Sequence, residues 1–450
     1  MLRRAARLLQ TEPEVLALSF ARMADALGNS LLIILLPLYI AEQPSTWLNL
    51  PTETQVGLVV SLYGFLFAFS QPFAGAATDR VGKRKPFILA GLLLMMVATL
   101  GFMVAHRFVW ILALRCLQGL GVAMIIPSVL ALISGVTEKR TRGNAMGVYS
   151  TFRMVGFATG PLLGGFLHVY FGFNAAFLAG AAFLVVAILL VQFTVHDPED
   201  PSLPPAASEP GAGGRPRKSS GPTATNLVLM ASTIVMASSL SMISALENEF
   251  NARLAQTALG FGVAFSALTV SRLFVQIPVG RLSDRIGRKK LIVGGLIALG
   301  PLTVLFGYVG TTLQLINLRV AQGVITAFIA APGFALASDL AKKGGEGKEM
   351  SYVTMGFGLG MGVGPLIAGA LGGYLGFEVP FYVVGAMSLV AAWMVARWAE
   401  ESIKPGEWVV LEAEEPVTYE PFPLKRVAPL EEQAHRAVLP GVRGSPSPTR

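Results

Sequence analysis

The residue with the most obvious chemistry is Asp25, an acid set inside an apolar run that extends from about Glu14 to Ala41. Runs of about 20 apolar residues are long enough to cross a bilayer. Eleven residues at about 1.5 Å each would put Asp25 roughly 16 Å deep, near the midplane. A charge there costs several kcal/mol unless it is paired or hydrated, so this carboxyl suits proton pickup and release, or simply neutralises a neighbouring arginine. Two arginines reach a similar depth. Arg115 lies roughly 10 Å from one side and Arg153 roughly 14 Å from the other. Spacing does not choose between them, and Arg153 is equally placed to contact an anionic substrate.

A second cluster is repeated. Gly75-Ala-Ala-Thr-Asp79-Arg80-Val-Gly82-Lys-Arg84-Lys85 returns 205 residues later as Gly280-Arg-Leu-Ser-Asp284-Arg285-Ile-Gly287-Arg-Lys289-Lys290. Each copy is a short charged hairpin between two apolar runs, and its glycines permit a tight turn. The repeat extends further. Arg115-Cys-Leu-Gln118-Gly119 recurs as Arg319-Val-Ala-Gln322-Gly323, Pro127 answers Pro332, and Gly160-Pro161 answers Gly364-Pro365. Such internal symmetry at a long period marks a chain built from two related halves.

The elements that must position these residues follow from composition. The 450 residues are 53% apolar and 14% charged, with mean hydropathy +0.61; a soluble chain carries roughly a quarter charged residues. Twelve spans are predicted: 14–41, 54–75, 86–105, 108–134, 144–169, 174–194, 226–249, 259–280, 290–309, 312–340, 350–374 and 379–399. Thr11-Glu-Pro-Glu14 and Thr52-Glu-Thr-Gln55 read as capping boxes. The domain reading is a first bundle over 12–195, a linker over 196–225 rich in Pro, Gly and Ser, a second bundle over 226–400, and a disordered polar tail over 401–450. No cleavable signal peptide is expected, because the first apolar run is too long and lacks a small-residue cleavage site.

Charge placement sets the orientation. Arg80, Lys83, Arg84, Lys85, Lys139, Arg140, Arg142, the linker cations, Arg281, Arg285, Arg288, Lys289, Lys290, Lys342, Lys343 and Lys348 all fall on one side, and only Arg107 and Arg253 on the other. The positive-inside rule puts the first side, both termini and both hairpins in the cytoplasm. The basic balance of +8 is therefore accounted for by loops at a membrane, not by nucleic acid.

The pattern G-x3-D-R-x-G-x-[RK]-[RK], present twice, resembles the loop signature of the major facilitator superfamily, and the resemblance spans about residues 12 to 400. It implies an all-α integral membrane protein with twelve transmembrane helices in two pseudo-symmetric six-helix bundles, moving against each other around a midplane cavity. It also implies that Gly75, Asp79, Arg80, Gly82, Arg84, Lys85, Gly280, Asp284, Arg285 and Gly287 form a charge latch holding the halves together on the cytoplasmic side. Asp339, at the inner end of span 10, is a further expected partner for Arg285; Ser134 stands near the matching place in the first half.

Gly156-Phe-Ala-Thr-Gly160-Pro161-Leu-Leu-Gly164-Gly165 in span 5 resembles the antiporter signature of the same superfamily, and Asp25-Ala-Leu-Gly28-Asn29 with Pro37-Leu-Tyr39 resembles the first helix of proton-driven drug exporters such as the tetracycline antiporters. Arg115 and Gln118 fall where the family carries R-x2-Q-G. By analogy, Glu247 and Glu249 with Arg319 are a possible cavity pair in the second half; the competing reading is carboxylates solvated at the membrane edge. Arg272 in span 8 is buried with no partner evident in the sequence.

Three functions are weighed. The first is a proton-coupled antiporter exporting small amphipathic or cationic compounds by alternating access. The second is a proton symporter or facilitator of sugars or metabolites, and the third a non-transporting receptor or lipid-handling protein on the same scaffold. No P-loop, HExxH or dinucleotide loop is present, so no enzyme activity and no direct ATP hydrolysis are expected. A lone Cys116 and histidines only at positions 106, 168, 196 and 435 give no metal site, and no cofactor is expected. The expected partners are protons, a small-molecule substrate and the lipid bilayer, around a monomer in a bacterial inner membrane.

Overall fold

The computed structural model describes residues 9, 11–42, 49–137, 141–197, 223–340 and 346–402. The expected linker and tail lie almost wholly outside them. Helices α1 (Pro13–Glu42), α2 (Thr52–Val81), α3 (Lys85–Gly101) and α4 (Phe108–Val136) open the chain. The long helix Arg142–Thr194 breaks at Gly172, whose φ of 81° only glycine adopts without strain. Residues 142–171 are α5 and 173–194 are α6. Then come α7 (Ala224–Ala245), the short α8 (Glu247–Arg253), α9 (Ala258–Ile286), α10 (Arg288–Leu305), α11 (Thr312–Asp339), α12 (Glu346–Leu375) and α13 (Val379–Trp398). Among the described residues eleven helices are long and apolar enough to cross a bilayer, and the break at Gly172 divides one of them, which makes twelve spans.

The repeat is written into local geometry. α3 and α10 each end in a 3-10 turn, at Phe102–Val104 and Phe306–Tyr308. α2 and α9 run past their predicted ends into the hairpins, so Asp79 and Asp284 occupy the last helical turns, and Gly82 and Gly287 stop the helices at φ 70° and 101°. Span 7 ends early, at Ala245, and its predicted remainder is α8. The two expected capping boxes are not formed. α2 starts at Thr52 with Pro51 as its cap residue and no side-chain cap, and the Thr11 hydroxyl has no hydrogen-bond partner. Side-chain caps occur at Thr223, which accepts from the Asn226 amide (3.3 Å), and at Thr311, which accepts from the Gln314 amide (3.2 Å).

Within each half the tightest pair is span 1 on span 5, that is α1 on α5 and α7 on α12; across the halves α2 packs on α12 and α5 on α9. Glycines make the close approaches. Gly156, Gly160 and Gly164 on α5 face Met23, Leu27 and Leu31 on α1, and a Cβ on Gly160 would meet the Leu27 carbonyl oxygen at 2.6 Å. In the second half Gly356, Gly360 and Gly364 face Met230, Ile234 and Ser238 of α7 in the same way.

Contacts between the halves are concentrated away from the hairpins. Gly57 of α2 lies on the Pro365 carbonyl of α12, and Gly262 of α9 lies on the Pro161 carbonyl of α5. Gly165 abuts Ala258 and Leu259, and Asn248 donates to the Pro37 carbonyl (2.9 Å). On the α2–α12 face Gly358 lies against Phe67 and Ala68; nearer the hairpins, Gln71 is only half-buried and Pro72 and Ser351 are exposed. Among the described residues the halves therefore meet at the end opposite the hairpins and part toward them.

Candidate functional site: a central cavity and its buried charges

Between the halves lies a cavity of about 100 Å³, smaller in this conformation than the usual small-molecule site. α1 contributes Ser30 and Ile33, α5 Arg153 and Phe157, α7 Ser241 and Ser244, α9 Phe265 and Arg272, and α12 Phe357 and Met361. Its wall is apolar and aromatic apart from two guanidinium groups and a few hydroxyls. The serine hydroxyls are taken up by backbone carbonyls, Ser244 donating to Ser241 (2.7 Å), Ser241 to Ala237 (2.9 Å) and Gly360 (3.2 Å), and Ser30 to Gly156 of α5 (3.2 Å).

Asp25 is 1% exposed and forms an ion pair with Arg22, one helical turn back on α1. Neither Arg115 nor Arg153, the two arginines weighed as its partner, takes that place. Arg115 instead donates to Gln118 (3.1 Å) and Asn29 (3.4 Å) and lies over the Tyr63 ring, while Gln118 donates to Thr99 (3.2 Å). Arg319 repeats this arrangement. It donates to Gln322 (2.9 Å) and to the Leu240 carbonyl (3.3 Å) and stacks over Phe265, while Gln322 donates to Ser239. Both arginines are held by neutral acceptors and aromatic faces, so the R-x2-Q motif works here as a buried polar network.

The possible cavity group of the second half divides. Glu247 is fully buried, within electrostatic reach of Arg319. Glu249 pairs with Arg253 (2.7 Å) at the rim, and Arg253 also holds Glu378 (3.0 Å). The Glu378 carboxyl is held below its usual range by its own backbone amide and by Arg253. The solvated-edge reading thus fits Glu249 and fails for Glu247.

In the second hairpin Asp284 pairs with Arg288 (3.3 Å), and Arg288 with Asp339 of α11 (2.5 Å). The expected partner, Arg285, is exposed and forms neither bond. Both ion pairs lie within one half. No ion pair joins the two halves at this end among the described residues, and the Asp79 side chain lies outside them. Arg80 is exposed and the Arg84 and Lys85 amides are occupied by a device the sequence reading missed. Asp197 accepts from both, at 2.8 and 2.9 Å, capping α3, and Glu401 accepts from the Arg288 and Lys289 amides at 3.0 and 3.1 Å, capping α10. The Lys85 ammonium donates to the Gln192 carbonyl (2.7 Å) and that of Lys289 to the Ala399 carbonyl (2.8 Å). The findable signal was an acid just after spans 6 and 12, 204 residues apart.

The sequence matches the Major Facilitator Superfamily model over residues 18–244 and again over 223–439. It is 29% identical to the multi-drug resistance efflux pump PmrA homolog of Lactococcus lactis, over 78% of this chain and 85% of that one. It is 28% identical to the multidrug resistance protein MdtG of Klebsiella pneumoniae, over 81% and 88%. Among solved structures, a bacterial homolog of the human lysosomal transporter Spinster, in an inward-facing and occupied conformation, superposes with a TM-score of 0.70 at 16% identity, over 86% of this chain and 97% of that one. The nucleoside transporter NupG superposes with a TM-score of 0.67 at 13% identity, over 86% and 100%. With the family model matched in both halves and the doubled six-helix fold in place, the chain is a multi-pass membrane transporter, not an enzyme, and belongs to the major facilitator superfamily.

Proposed function

We propose that the chain is a proton-coupled antiporter that exports small amphipathic compounds from the cytoplasm by alternating access. The observation that carries this is the buried Arg22–Asp25 pair on α1, the helix that also lends Ser30 and Ile33 to the cavity. An acid held by one intrahelical cation can exchange a proton without dismantling a bundle, and its charge state alters the field at the cavity wall. Similarity to multidrug efflux proteins supports export over uptake.

Loop charge supports an orientation with both termini and both hairpins in the cytoplasm of a bacterial inner membrane. On that reading the parted end faces the cytoplasm, and the conformation is the one that loads substrate for export. The domain scheme is two bundles, 12–195 and 226–400, a linker over 196–225 and a tail over 401–450, acting as a monomer. Purified protein in vesicles with an imposed pH gradient tests the coupling. Asp25→Asn keeps size and hydrogen-bonding capacity while removing the titratable charge, so uphill accumulation stops and downhill exchange continues. Undiminished uphill accumulation in Asp25→Asn overturns the assignment.

A further inference from the structure

Among the described residues the charge within the membrane-spanning helices does not balance. The membrane-embedded arginines are Arg22, Arg115, Arg153, Arg272 and Arg319, against the buried acids Asp25 and Glu247. Asp25 is taken by Arg22, and Glu247 sits near Arg319. Arg115 has Gln118, Asn29 and the face of Tyr63. Arg153 and Arg272 remain. Both line the central cavity, one from each half, and no carboxylate lines it. Neither makes an ion pair among the described residues, and the Arg272 Nε is buried without an acceptor. Their like charges repel across the space.

Two unpaired guanidinium groups in a low-dielectric cavity are expensive, and a bound anion removes that expense through forked, charge-assisted hydrogen bonds. The apolar surroundings set the rest of the ligand. Phe157 lies one turn from Arg153 along α5, and Leu268 and Phe265 lie one and two turns from Arg272 along α9. We infer that this cavity binds an amphipathic organic anion, its sulfonate, carboxylate or phosphate between Arg153 and Arg272 and its apolar body against Phe157, Phe265 and Met361. Because α5 and α9 belong to different halves, such a ligand ties the halves together at cavity depth. It thereby promotes the closed intermediate through which transport must pass.

This deepens the export reading by naming the substrate class, and it turns the expectation of cationic substrates around. Binding to purified protein in a non-ionic detergent tests it with two probes of similar apolar size and opposite charge, naphthalene-2-sulfonate and 2-naphthylmethylammonium. The wild type binds the sulfonate at least tenfold tighter. Arg153→Gln and Arg272→Gln each lose at least tenfold for the sulfonate and lose nothing for the ammonium, while Arg153→Lys and Arg272→Lys keep the preference. Equal affinity of the wild type for the two probes overturns the inference, and so does a parallel loss of both affinities in well-folded Gln variants. Adding phosphatidylglycerol separates two sources of the anion: competition assigns the site to a lipid headgroup, and its absence to a soluble compound. Detergent binding needs neither a proton gradient nor turnover. Failed pH-driven export with intact sulfonate preference would therefore remove the coupling and leave the site standing.

Discussion

Arg22 and Asp25 pair one turn apart on α1, so the carboxyl and its counter-charge belong to one helix of one half. In the proposed mechanism a partner on another helix would make proton exchange depend on helix separation, and pairing within α1 removes that dependence. Removing Arg22 leaves a buried carboxylate uncompensated, which disfavours its charged form. Arg22→Ala therefore shifts the pH optimum of transport upward, whereas Arg115→Ala, whose partners are neutral, does not. A pH–activity profile of both variants in vesicles decides it, and a shifted optimum in Arg115→Ala alone would reverse the assignment.

The doubled caps make a second prediction. Asp197 and Glu401 each accept two backbone hydrogen bonds at a helix start, where the unpaired amides and the helix dipole favour negative charge. Loss of such a cap costs about 0.5–2 kcal/mol. Glu401→Ala and Asp197→Ala lower the melting temperature of the purified protein by similar small amounts, and the double variant by their sum. A loss confined to one of the two would mean the caps are not equivalent.

Much of this was legible because it lives in pattern. Apolar runs fix spans, and a 205-residue repeat of the Asp-Arg hairpin fixes two halves. The partners were not legible, because partners are set by rotation about helix axes, to which a linear depth estimate is blind. Arg115 and Arg153 match Asp25 in depth and yet face Gln118 and the cavity respectively, while the true partner was three residues away. Likewise Arg288, one turn from Asp284 and turned toward α11, takes Asp339 in place of Arg285. The acid caps escaped notice because spans 6 and 12 meet the starts of spans 3 and 9 only once the bundle is formed.

The Arg288 bridge predicts that the two arginines of the second hairpin are not equivalent. Arg288→Ala leaves both Asp284 and Asp339 without their shared cation at the end of α9, and Arg285→Ala disturbs neither pair. Transport falls sharply in Arg288→Ala and stays near wild type in Arg285→Ala, measured at matched protein levels. Equal loss in the two would show that the pair seen here is not the one that sets conformational balance.

Glycines offer a signed stability test. Gly160→Ala gains up to about 1 kcal/mol of helix propensity, but its Cβ meets the Leu27 backbone oxygen at 2.6 Å. Backbone cannot swing aside as a side chain can, and overpacking costs about 1–3 kcal/mol. The clash wins, so Gly160→Ala melts lower than wild type. Gly294 in α10 has nothing within 4 Å of the same position, so Gly294→Ala melts at or above it. Thermal unfolding of both in detergent reads the two signs directly.

The last prediction uses the symmetry of the closed end. A Cβ on Gly57 would lie 2.5 Å from the Pro365 oxygen, and one on Gly262 would crowd the Pro161 oxygen in the matching contact. Neither contact survives once that end opens, so added bulk penalises only the conformation described here. Overpacking of about 1–3 kcal/mol on one state shifts the balance by roughly five- to a hundredfold, at about 1.4 kcal/mol per factor of ten. Asn248, which bridges to Pro37 across the same end, is the reporter. In a Cys116→Ala background, Asn248→Cys reacts with a membrane-impermeant maleimide several-fold faster when Gly57→Val or Gly262→Val is added. Labelling at the unaltered rate would mean that the glycine contacts do not hold this end shut.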